Sequence, residues 1–318
     1  MNFFSDTFTY IIIAASQIAI LLIYFRVAEH YRIIDVPNHR SSHSEITIRG
    51  GGLIFIASFV IYALVYNNVN NFLVAGLLAI GIISFLDDIT TLQIRYRLSV
   101  QLLAVSSLIY ALSGFQIWPL IFIPLVYILI IGVINAFNFM DGINGITGLY
   151  SLICFASLLY LNNKYAFTDP NFIIIGILAC LVFLFFNFRR KAVCFAGDVG
   201  SVSIAFWIIS LIGFLIVDTF DLRYFLLLAV YGVDAMLTII QRALLGMNIL
   251  QAHRMHLYQL MANEHKIPHL RIAFGYTCIQ VLVNILVIFS GFDTLTLYLI
   301  TLVPLSIIYI LVKRKLMV

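Results

Sequence analysis

Long, uninterrupted apolar runs constrain this 318-residue chain more than any other feature. They recur along its whole length, as in IIIAASQIAILLIYF (11–25) and FLVAGLLAIGIISF (72–85). A membrane-spanning helix needs about 20 mainly apolar residues in a row, whereas the strands of a membrane barrel alternate apolar and polar residues. The sequence is 63% hydrophobic and only 10% charged, which excludes an ordinary soluble domain. The runs therefore predict an all-α fold, a polytopic bundle of helices in a membrane.

Eleven membrane spans account for the apolar runs. Their predicted centres lie near residues 17, 59, 78, 106, 127, 154, 179, 208, 231, 281 and 304. The first run has neither a basic stretch before it nor a clear cleavage site after it, so we interpret it as a retained span. No Ser/Pro-rich linker or clear internal repeat divides the sequence, and residues 1–318 are predicted to form one membrane-embedded domain.

The Lys and Arg residues predict how the spans are oriented. With the N-terminus outside and the C-terminus in the cytoplasm, the outer connections hold only Lys164 and Arg223, and the inner ones hold the other sixteen. All seven histidines also fall on the inner side. The cytoplasmic side is therefore predicted to carry the chemistry. Its polar connections lie near residues 29–50, 87–97, 135–146, 187–200 and 241–271.

The first polar stretch is DVPNHRSSHSEITIRGGG (35–52). Its Arg and His side chains could bind phosphate, and its glycine run lets the backbone approach a ligand closely. A basic loop that touches anionic lipid explains the charge equally well. The three glycines at the entrance to a span favour a site.

A pair of neighbouring acids, Asp87 and Asp88, ends the third span. Adjacent carboxylates repel each other at the edge of the hydrocarbon and need a counter-charge, and hard oxygen ligands suit magnesium. Because neighbouring helical residues are about 100° apart, one acid can bind metal while the other orients a group or accepts a proton. The alternative is a solvated helix end that Arg95 and Arg97 balance.

The stretch NAFNFMDGINGITG (135–148) places polar residues between two apolar runs. On a helix, Asn135, Asn138 and Asp141 recur every three residues and form one polar stripe. Glycines follow at the same spacing and permit a tight turn and close helix packing. Hydrogen bonding between helices would explain the Asn residues but not the carboxylate beside them.

Asp198 lies between two glycines in NFRRKAVCFAGDVGS (187–201), just before the eighth span. An acid in this position can also be a simple helix cap. In the ninth span, Asp234 is an acid at membrane depth, which by default is a candidate functional residue.

The longest inner connection contains AHRMHLYQ (252–259), in which His253, Arg254 and His256 cluster. Arg makes bidentate contacts to phosphate, so this cationic cluster suggests a phosphorylated substrate. Zinc binding by the two His residues lacks Cys or acidic partners close by.

Taken in order, these motifs resemble those of the polyprenyl-phosphate N-acetylhexosamine-1-phosphate transferases, in glycosyltransferase family 4. The resemblance covers roughly residues 35 to 260, and the HRxHxYQ form is similar to the O-antigen and capsule branch. The matching pieces are PNHRSSH, RGGG, FLDD, NAFNFMDGING, Asn187, AGDVGS, VDAMLTIIQR and HRMHLYQ. The chain departs from the family pattern DGxDG at Asn144, and Lys191, Ala196 and Thr91 also replace familiar residues.

The resemblance implies a reaction in the bacterial inner membrane. A sugar-1-phosphate, of an N-acetylhexosamine or a deoxyamino sugar, passes from a UDP-sugar to undecaprenyl phosphate with release of UMP, which initiates O-antigen, capsule or other cell-envelope glycan synthesis. The implied cofactor is Mg²⁺, or Mn²⁺ in its place. Family analogy allows a homodimer, and no nucleic-acid partner is expected.

The same resemblance assigns residues to roles. Asp87, Asp88 and Asp198 would be catalytic, with the metal held by Asp88 and Asp198. The substrate-binding residues would be Arg40, His43, Asn138, Asp141, Asn187, His253, Arg254 and His256.

Two other classes of protein place acids and amides in a membrane. A secondary transporter would do so near the bilayer midplane and often shows inverted repeats, whereas here the polar groups lie at one interface. A phosphotransferase of the CDP-alcohol type would continue its DG motif with Ala-Arg, whereas residues 141 to 148 read DGINGITG. We rank these readings second and third.

Overall fold

Helices make up nearly all of the structure, a computed structural model that describes residues 3–37, 45–66, 69–248 and 254–317. Two short strands, β1 (Ile34–Asp35) and β2 (Thr47–Ile48), are the β structure in these ranges, so the all-α prediction is confirmed. The helices are α1 (Phe3–His30), α2 (Leu53–Tyr66), α3 (Asn71–Ile89), α4 (Ile94–Ala111), α5 (Gly114–Ile117), α6 (Ile123–Met140), α7 (Ile146–Tyr165), α8 (Pro170–Asn187), α9 (Gly197–Thr219), α10 (Ala229–Leu244), α11 (Leu257–Gln259), α12 (His269–Phe289) and α13 (Thr294–Met317).

Nine helical segments in the described ranges are long and apolar enough to cross a membrane, so the chain is a multi-pass membrane protein. Every predicted span centre lies in a helix. Two of the helices that contain a predicted centre, α2 and α4, are not among the nine segments. Helix α2 has 14 residues, a length of about 21 Å against a hydrocarbon core of about 30 Å. Helix α4 carries Arg95 and Arg97 in its first turn. The count of eleven spans and the orientation stay predictions.

Side-chain caps define where two of the long helices begin. Asn70 accepts a hydrogen bond from the N–H of Phe72 at 2.9 Å, and Asp169 accepts one from the N–H of Asn171 at 3.0 Å. Pro170 occupies the first position of α8, where its missing N–H costs nothing. These residues satisfy N–H groups that have no partner within the helix. They fix the ends of α3 and α8 that lie away from the candidate site.

At the other end of the bundle, backbone hydrogen bonds join connections that are far apart in the sequence. Strands β1 and β2 pair antiparallel, and Ile48 forms a parallel bridge with Cys194. The N–H of Gly51 donates to the carbonyl of Phe195 at 2.8 Å. The connection before α2 and the connection before α9 therefore form one structural unit.

Helix α9 lies at the centre of the bundle. All its residues from 199 to 212 are buried, and it packs against α2, α3, α6 and α7. Its first turn approaches the start of α2 so closely that a Cβ atom on Gly52 would overlap the Cα of Gly200 and lie 2.8 Å from the carbonyl oxygen of Ala196. The glycine run after Arg49 thus serves backbone packing, which positions the start of α9.

We expect Gly52→Ala to lower the unfolding temperature, because a methyl group there meets backbone atoms that have no room to move. Overpacking of this kind costs at least about 1 kcal/mol. The matched control is Gly275→Ala in α12, where nothing lies within 4 Å of an added Cβ. Thermal unfolding in detergent, followed by tryptophan fluorescence, measures both variants. An unfolding temperature for Gly52→Ala equal to that of the control would contradict this account of the packing.

Candidate active site

Asp88, in the last turn of α3, holds the first turn of α9. Its Oδ1 accepts the N–H of Asp198 and its Oδ2 accepts the N–H of Val199, both at 2.9 Å. The first N–H groups of a helix lack partners within the helix, and a negative charge is favourable there. Helix α9 has no side-chain cap from its own N-cap residue, Ala196. Asp88 therefore caps α9 from a distance of 110 residues in sequence and determines where Asp198 lies.

Two arginines connect the three acids. The Nε of Arg49 lies 2.7 Å from Asp88 Oδ1, and its Nη2 lies 3.7 Å from Asp198 Oδ1. The Nη1 of Arg97 lies 2.7 Å from Asp87 Oδ2, and its Nη2 lies 3.5 Å from Asp198 Oδ2. Asp87 and Asp88 therefore face different partners, as their angular separation on a helix allows. Asp198 is shared between both guanidinium groups at longer distances.

The end of α6 brings Asn138 and Asp141 to the same place. Asn138 donates to the hydroxyl of Ser201 at 3.2 Å and lies within hydrogen-bonding reach of Asp198. Asp141 follows α6 and accepts a hydrogen bond from the hydroxyl of Thr147 at 2.6 Å. Burial raises the pKa of Asp141 to about 7, opposed by the Thr147 hydrogen bond and reinforced by the charge of Asp198. Burial is thus the main reason that this carboxyl group is harder to ionise, and the neighbouring carboxylate adds to it.

The charge balance of this acidic centre favours a divalent cation. Arg49 and Arg97 supply two positive charges against four carboxylates, which leaves two negative charges when all four are ionised. The carboxylates are those of Asp87, Asp88, Asp141 and Asp198. Oxygen ligands of this kind are those that magnesium prefers.

The individual acids differ in how well they could hold the metal. Asp88 already accepts from two backbone N–H groups and Arg49, so about one of its four lone-pair directions is left. The Asp198 side chain is 21% exposed and has only the long arginine contacts among its ion pairs. In the described residues, no three Asp, Glu, His or Cys side chains form a metal centre alone. Magnesium is often held by one or two carboxylates and substrate phosphates, and these residues fit that mode.

Asn187 joins two connections through its buried amide group. Its Oδ1 accepts the N–H of Gly145 at 2.7 Å, and its Nδ2 donates to the carbonyl of Cys194 at 2.8 Å. Both ends of the amide are used by the backbone, although Asn187 also lines a cavity described below. The contacts show that Asn187 holds the site together.

Asn144 stands where the resemblance leads one to expect a second acid. Its Nδ2 donates to the carbonyls of Arg189 and Arg190, at 2.8 and 3.3 Å, and its side chain is buried. A carboxylate accepts hydrogen bonds but cannot donate them. In this chain the position therefore needs an amide, which ties the end of α6 to the connection between α8 and α9.

The segment before α11 places His256 against α10. The Nδ1 of His256 lies 3.1 Å from Asp234 Oδ1, and both side chains are buried. At the start of α11, the N–H of His256 donates to the side-chain oxygen of Gln259 at 3.2 Å. Asp234, the acid at membrane depth, therefore holds His256 in place.

Four predicted substrate-binding residues remain to be placed. Arg40, His43 and His253 lie outside the described residues. Arg254 is half-buried, two residues before His256, and lines neither of the two cavities described next.

Two cavities meet beside the acidic centre. The first, of about 240 Å³, is mainly polar, and its lining includes Arg49, Asn187 and Asp198. The second, of about 730 Å³, is mainly apolar, with Arg97 and His256 in its lining. Both cavities are lined by Asn138, Asp141, Gly142 and Gln259. These four residues, which we call the shared mouth, mark where ligands in the two cavities would meet.

Sequence reasoning missed several residues that the structure brings to the site. Arg49 was visible only as part of a basic stretch, and Arg97 only as a charge that could balance a solvated helix end. Asp35 and Gln259, which lie inside quoted motifs but received no role, also line the polar cavity, as does His269. The signal for Arg49 was its position directly before the glycine run.

Comparison with known proteins finds one family that matches part of the chain. Residues 70–216, a little under half of the sequence, match the model of glycosyl transferase family 4. The matched stretch includes Asp87, Asp88, Asp141, Asn187 and Asp198. These candidate residues therefore lie in the part of the chain that is similar to the family.

The chain spans between 57% and 63% of the length of three curated relatives to which it is similar. A phospho-N-acetylmuramoyl-pentapeptide-transferase of Thermodesulfovibrio yellowstonii is 28% identical over 225 residues, which cover 56% of this chain and 61% of the relative. An undecaprenyl-phosphate alpha-N-acetylglucosaminyl 1-phosphate transferase of Yersinia pestis is 27% identical over 231 residues, 66% of this chain and 63% of the relative. A probable undecaprenyl-phosphate N-acetylglucosaminyl 1-phosphate transferase of Bacillus subtilis is 27% identical over 209 residues, 59% of this chain and 57% of the relative.

We expect Asn144→Asp to destabilise this protein, although it restores the family's usual residue type. The carboxylate would lose both donated hydrogen bonds and face two carbonyl oxygens, a cost of about 1–3 kcal/mol. Thermal unfolding in detergent measures the effect, with the exposed Asn163→Asp as control. Equal unfolding temperatures for the two variants would show that the contacts of Asn144 carry little stability.

Proposed function

We propose that this protein transfers a sugar-1-phosphate from a UDP-sugar to undecaprenyl phosphate and releases UMP. The observation that carries the proposal is the shared mouth, where a polar cavity and a larger apolar cavity meet at Asp141, with Asp198 in the lining of the polar cavity. The reaction joins a water-soluble donor to a lipid acceptor, so it needs two cavities of opposite character that converge on one point. Two of the relatives are named for transfer to undecaprenyl phosphate, which supports the acceptor.

The polar cavity would take the phosphates and sugar of the donor. Its lining offers the amide of Asn138, the guanidinium group of Arg49 and the carboxylate of Asp198, whereas Asn187 holds the backbone around them. Amides can both donate to phosphate oxygens and accept from sugar hydroxyls. A cavity of about 240 Å³ is below the usual range for a complete ligand site, about 300–1,000 Å³, so it would hold only that part of the nucleotide sugar.

The apolar cavity would take the start of the polyprenyl chain and its phosphate. Leu92, Leu98 and Ile239 provide apolar surface, and Arg97 and His256 provide cationic or donor groups. Arg97 also forms an ion pair with Asp87 at 2.7 Å. Asp87 would therefore orient the Arg97 guanidinium group, which would bind the lipid phosphate. Asp87 could also accept a proton from that phosphate, although the phosphate is largely ionised near neutral pH.

In the reaction, an oxygen of the lipid phosphate attacks the β-phosphorus of the UDP-sugar. A new phosphorus–oxygen bond forms, the bond between the β-phosphorus and the bridging oxygen breaks, and UMP leaves with the electron pair. Two anions must approach each other, so Arg49 and Arg97 would offset their repulsion. Magnesium held by Asp88 and Asp198 would supply further positive charge on the pyrophosphate. Asp88 has the additional role of fixing the helix start that carries Asp198.

The finer assignments follow from the sequence. The HRMHLYQ form favours the O-antigen and capsule branch, and the distribution of Lys and Arg favours an inner membrane protein with its site in the cytoplasm. A homodimer stays a prediction. A secondary transporter fits less well, because the polar groups gather at one end of the bundle and not near its middle.

Purified protein with magnesium, undecaprenyl phosphate and a panel of UDP-sugars is expected to release UMP with at least one donor. Chelation of the metal should stop the release. The panel includes UDP-N-acetylglucosamine, UDP-N-acetylgalactosamine and UDP-linked deoxyamino sugars. Folded protein that releases no UMP with any of them, while a family 4 enzyme does so in the same assay, would count decisively against the proposal.

Asp198→Asn should lower turnover by at least about a hundredfold, because it removes the charge of the most accessible candidate metal ligand. The cation that would stabilise the charge of the transition state would then be held less well. Asp218→Asn is the matched control, since Asp218 is an exposed acid near the other end of the same helix. Both variants are compared by UMP release and by thermal unfolding. A normal rate in Asp198→Asn would remove the metal assignment for this residue.

A further inference from the structure

Asp234 lies at the centre of a buried set of hydrogen bonds behind the apolar cavity. Its Oδ1 accepts from the ring of His256 at 3.1 Å, the N–H of Leu257 at 3.2 Å and the hydroxyl of Thr238 at 3.3 Å. Its Oδ2 accepts from the hydroxyl of Tyr276 at 2.6 Å. Three donors converge on Oδ1 and one reaches Oδ2. Asp234 is thus a buried anion held by four hydrogen bonds, and a buried anion needs a positive charge nearby.

Lys313 of α13 supplies a positive charge through two hydroxyl groups. Its ammonium group is buried and donates to the hydroxyl of Tyr309 at 2.5 Å and to that of Thr238 at 3.3 Å. The two hydroxyls lie 2.6 Å apart. Lys313, Tyr309, Thr238 and Asp234 therefore form one continuous chain of contacts from α13 to α10, which we call the α10–α13 hydrogen-bond chain.

Elementary chemistry fixes the direction of this chain. An ammonium group only donates hydrogen bonds, and a carboxylate only accepts them. With Lys313 donating at one end and Asp234 accepting at the other, the Tyr309 hydroxyl donates to Thr238, and the Thr238 hydroxyl donates to Asp234. Chains aligned in this way strengthen their members. Loss of the Lys313 charge would leave the hydroxyls free to turn and would weaken the contact between Thr238 and Asp234.

His256 connects the α10–α13 hydrogen-bond chain to the apolar cavity. One ring nitrogen, Nδ1, faces Asp234, while the residue itself lines the apolar cavity. A carboxylate beside one ring nitrogen decides which nitrogen carries the proton and how the ring is turned. The same segment is tied to α13 a second time, since the ring of His265 lies 2.9 Å from the carbonyl of Leu316.

We propose that Lys313, Tyr309 and Thr238 are positioning residues for His256: they orient its ring, through Asp234, toward the phosphate of the lipid acceptor. None of them lines either of the two cavities. The orientation of the ring follows from the contacts alone, whereas the role toward the acceptor phosphate rests on the proposed function. Helix α13 thereby contributes to the site without touching a substrate.

The test compares Lys313→Met with Lys315→Met. Lys315 is an exposed residue two positions further on the same helix, so its loss controls for the removal of one positive charge. Thr238→Val and Tyr309→Phe each remove one hydroxyl group of the α10–α13 hydrogen-bond chain with little change in side-chain shape. If Lys313→Met does not fold, these two variants test the proposal. Ring-¹⁵N NMR of histidine-labelled protein in detergent reports protonation and tautomer, and loss of one signal set in His256→Gln assigns His256.

In the wild-type protein and Lys315→Met, the Nδ1 of His256 should carry a proton in a single environment. In Lys313→Met, Thr238→Val and Tyr309→Phe, the His256 signals should shift or split. In the kinetic assay these three variants should raise KM for undecaprenyl phosphate about tenfold, by analogy with the loss of a partner that orients a metal-bound histidine. They should leave KM for the UDP-sugar unchanged, a difference that general loss of stability would not produce.

His256 signals that stay identical to wild type in all folded variants would overturn the inference. An equal rise of both KM values would also overturn it, because it would indicate a structural role only. The NMR measurement does not depend on turnover. A folded protein without activity would refute the proposed function, and the NMR signals would still test the orientation of the His256 ring.

Discussion

The hydrogen bonds from the first turn of α9 to Asp88 are the interaction on which the site depends. They satisfy two needs at once, because the start of a buried helix lacks acceptors for its N–H groups and a buried carboxylate lacks donors. Either group left alone would be costly at this depth. Together they fix α3 against α9, so that Asp198 lies beside Arg49 and Arg97. Acids 110 residues apart in sequence thus become neighbours.

Much of the fold could be predicted, because apolar runs of this length have few alternatives in a membrane. All predicted span centres lie in helices. The grouping of Asp88, Asp141 and Asp198 at one end of the bundle also agrees with their predicted position on one side of the membrane. The ion-pair partner of each acid could not be predicted, since it depends on the direction in which the side chain points from its helix. Arg49 is an example. It contacts Asp88 because backbone hydrogen bonds around Gly51 hold the connection before α2 against the connection before α9.

The amides show a second limit of sequence reasoning. Asn138, Asn144 and Asn187 look alike in the sequence, as polar residues beside glycines. In the structure, Asn187 and Asn144 bond to backbone groups of other connections, whereas Asn138 lines both cavities and contacts Ser201. A residue type that both donates and accepts can serve either purpose. Only the arrangement of neighbouring backbone groups separates an amide that holds the site from one that faces it.

Asp234 and Asp198 differ in a way that suggests different uses. Asp234 accepts four hydrogen bonds and is 2% exposed, and two of the four come from the ring of His256 and the N–H of Leu257. Asp198 is reached by its arginine partners only at 3.5 Å or more and keeps part of its surface open to the polar cavity. A buried charge that is not fully satisfied by its own protein is costly unless a ligand completes it. The incomplete shell of Asp198 is therefore the feature that most directly indicates a site for a cation and phosphates.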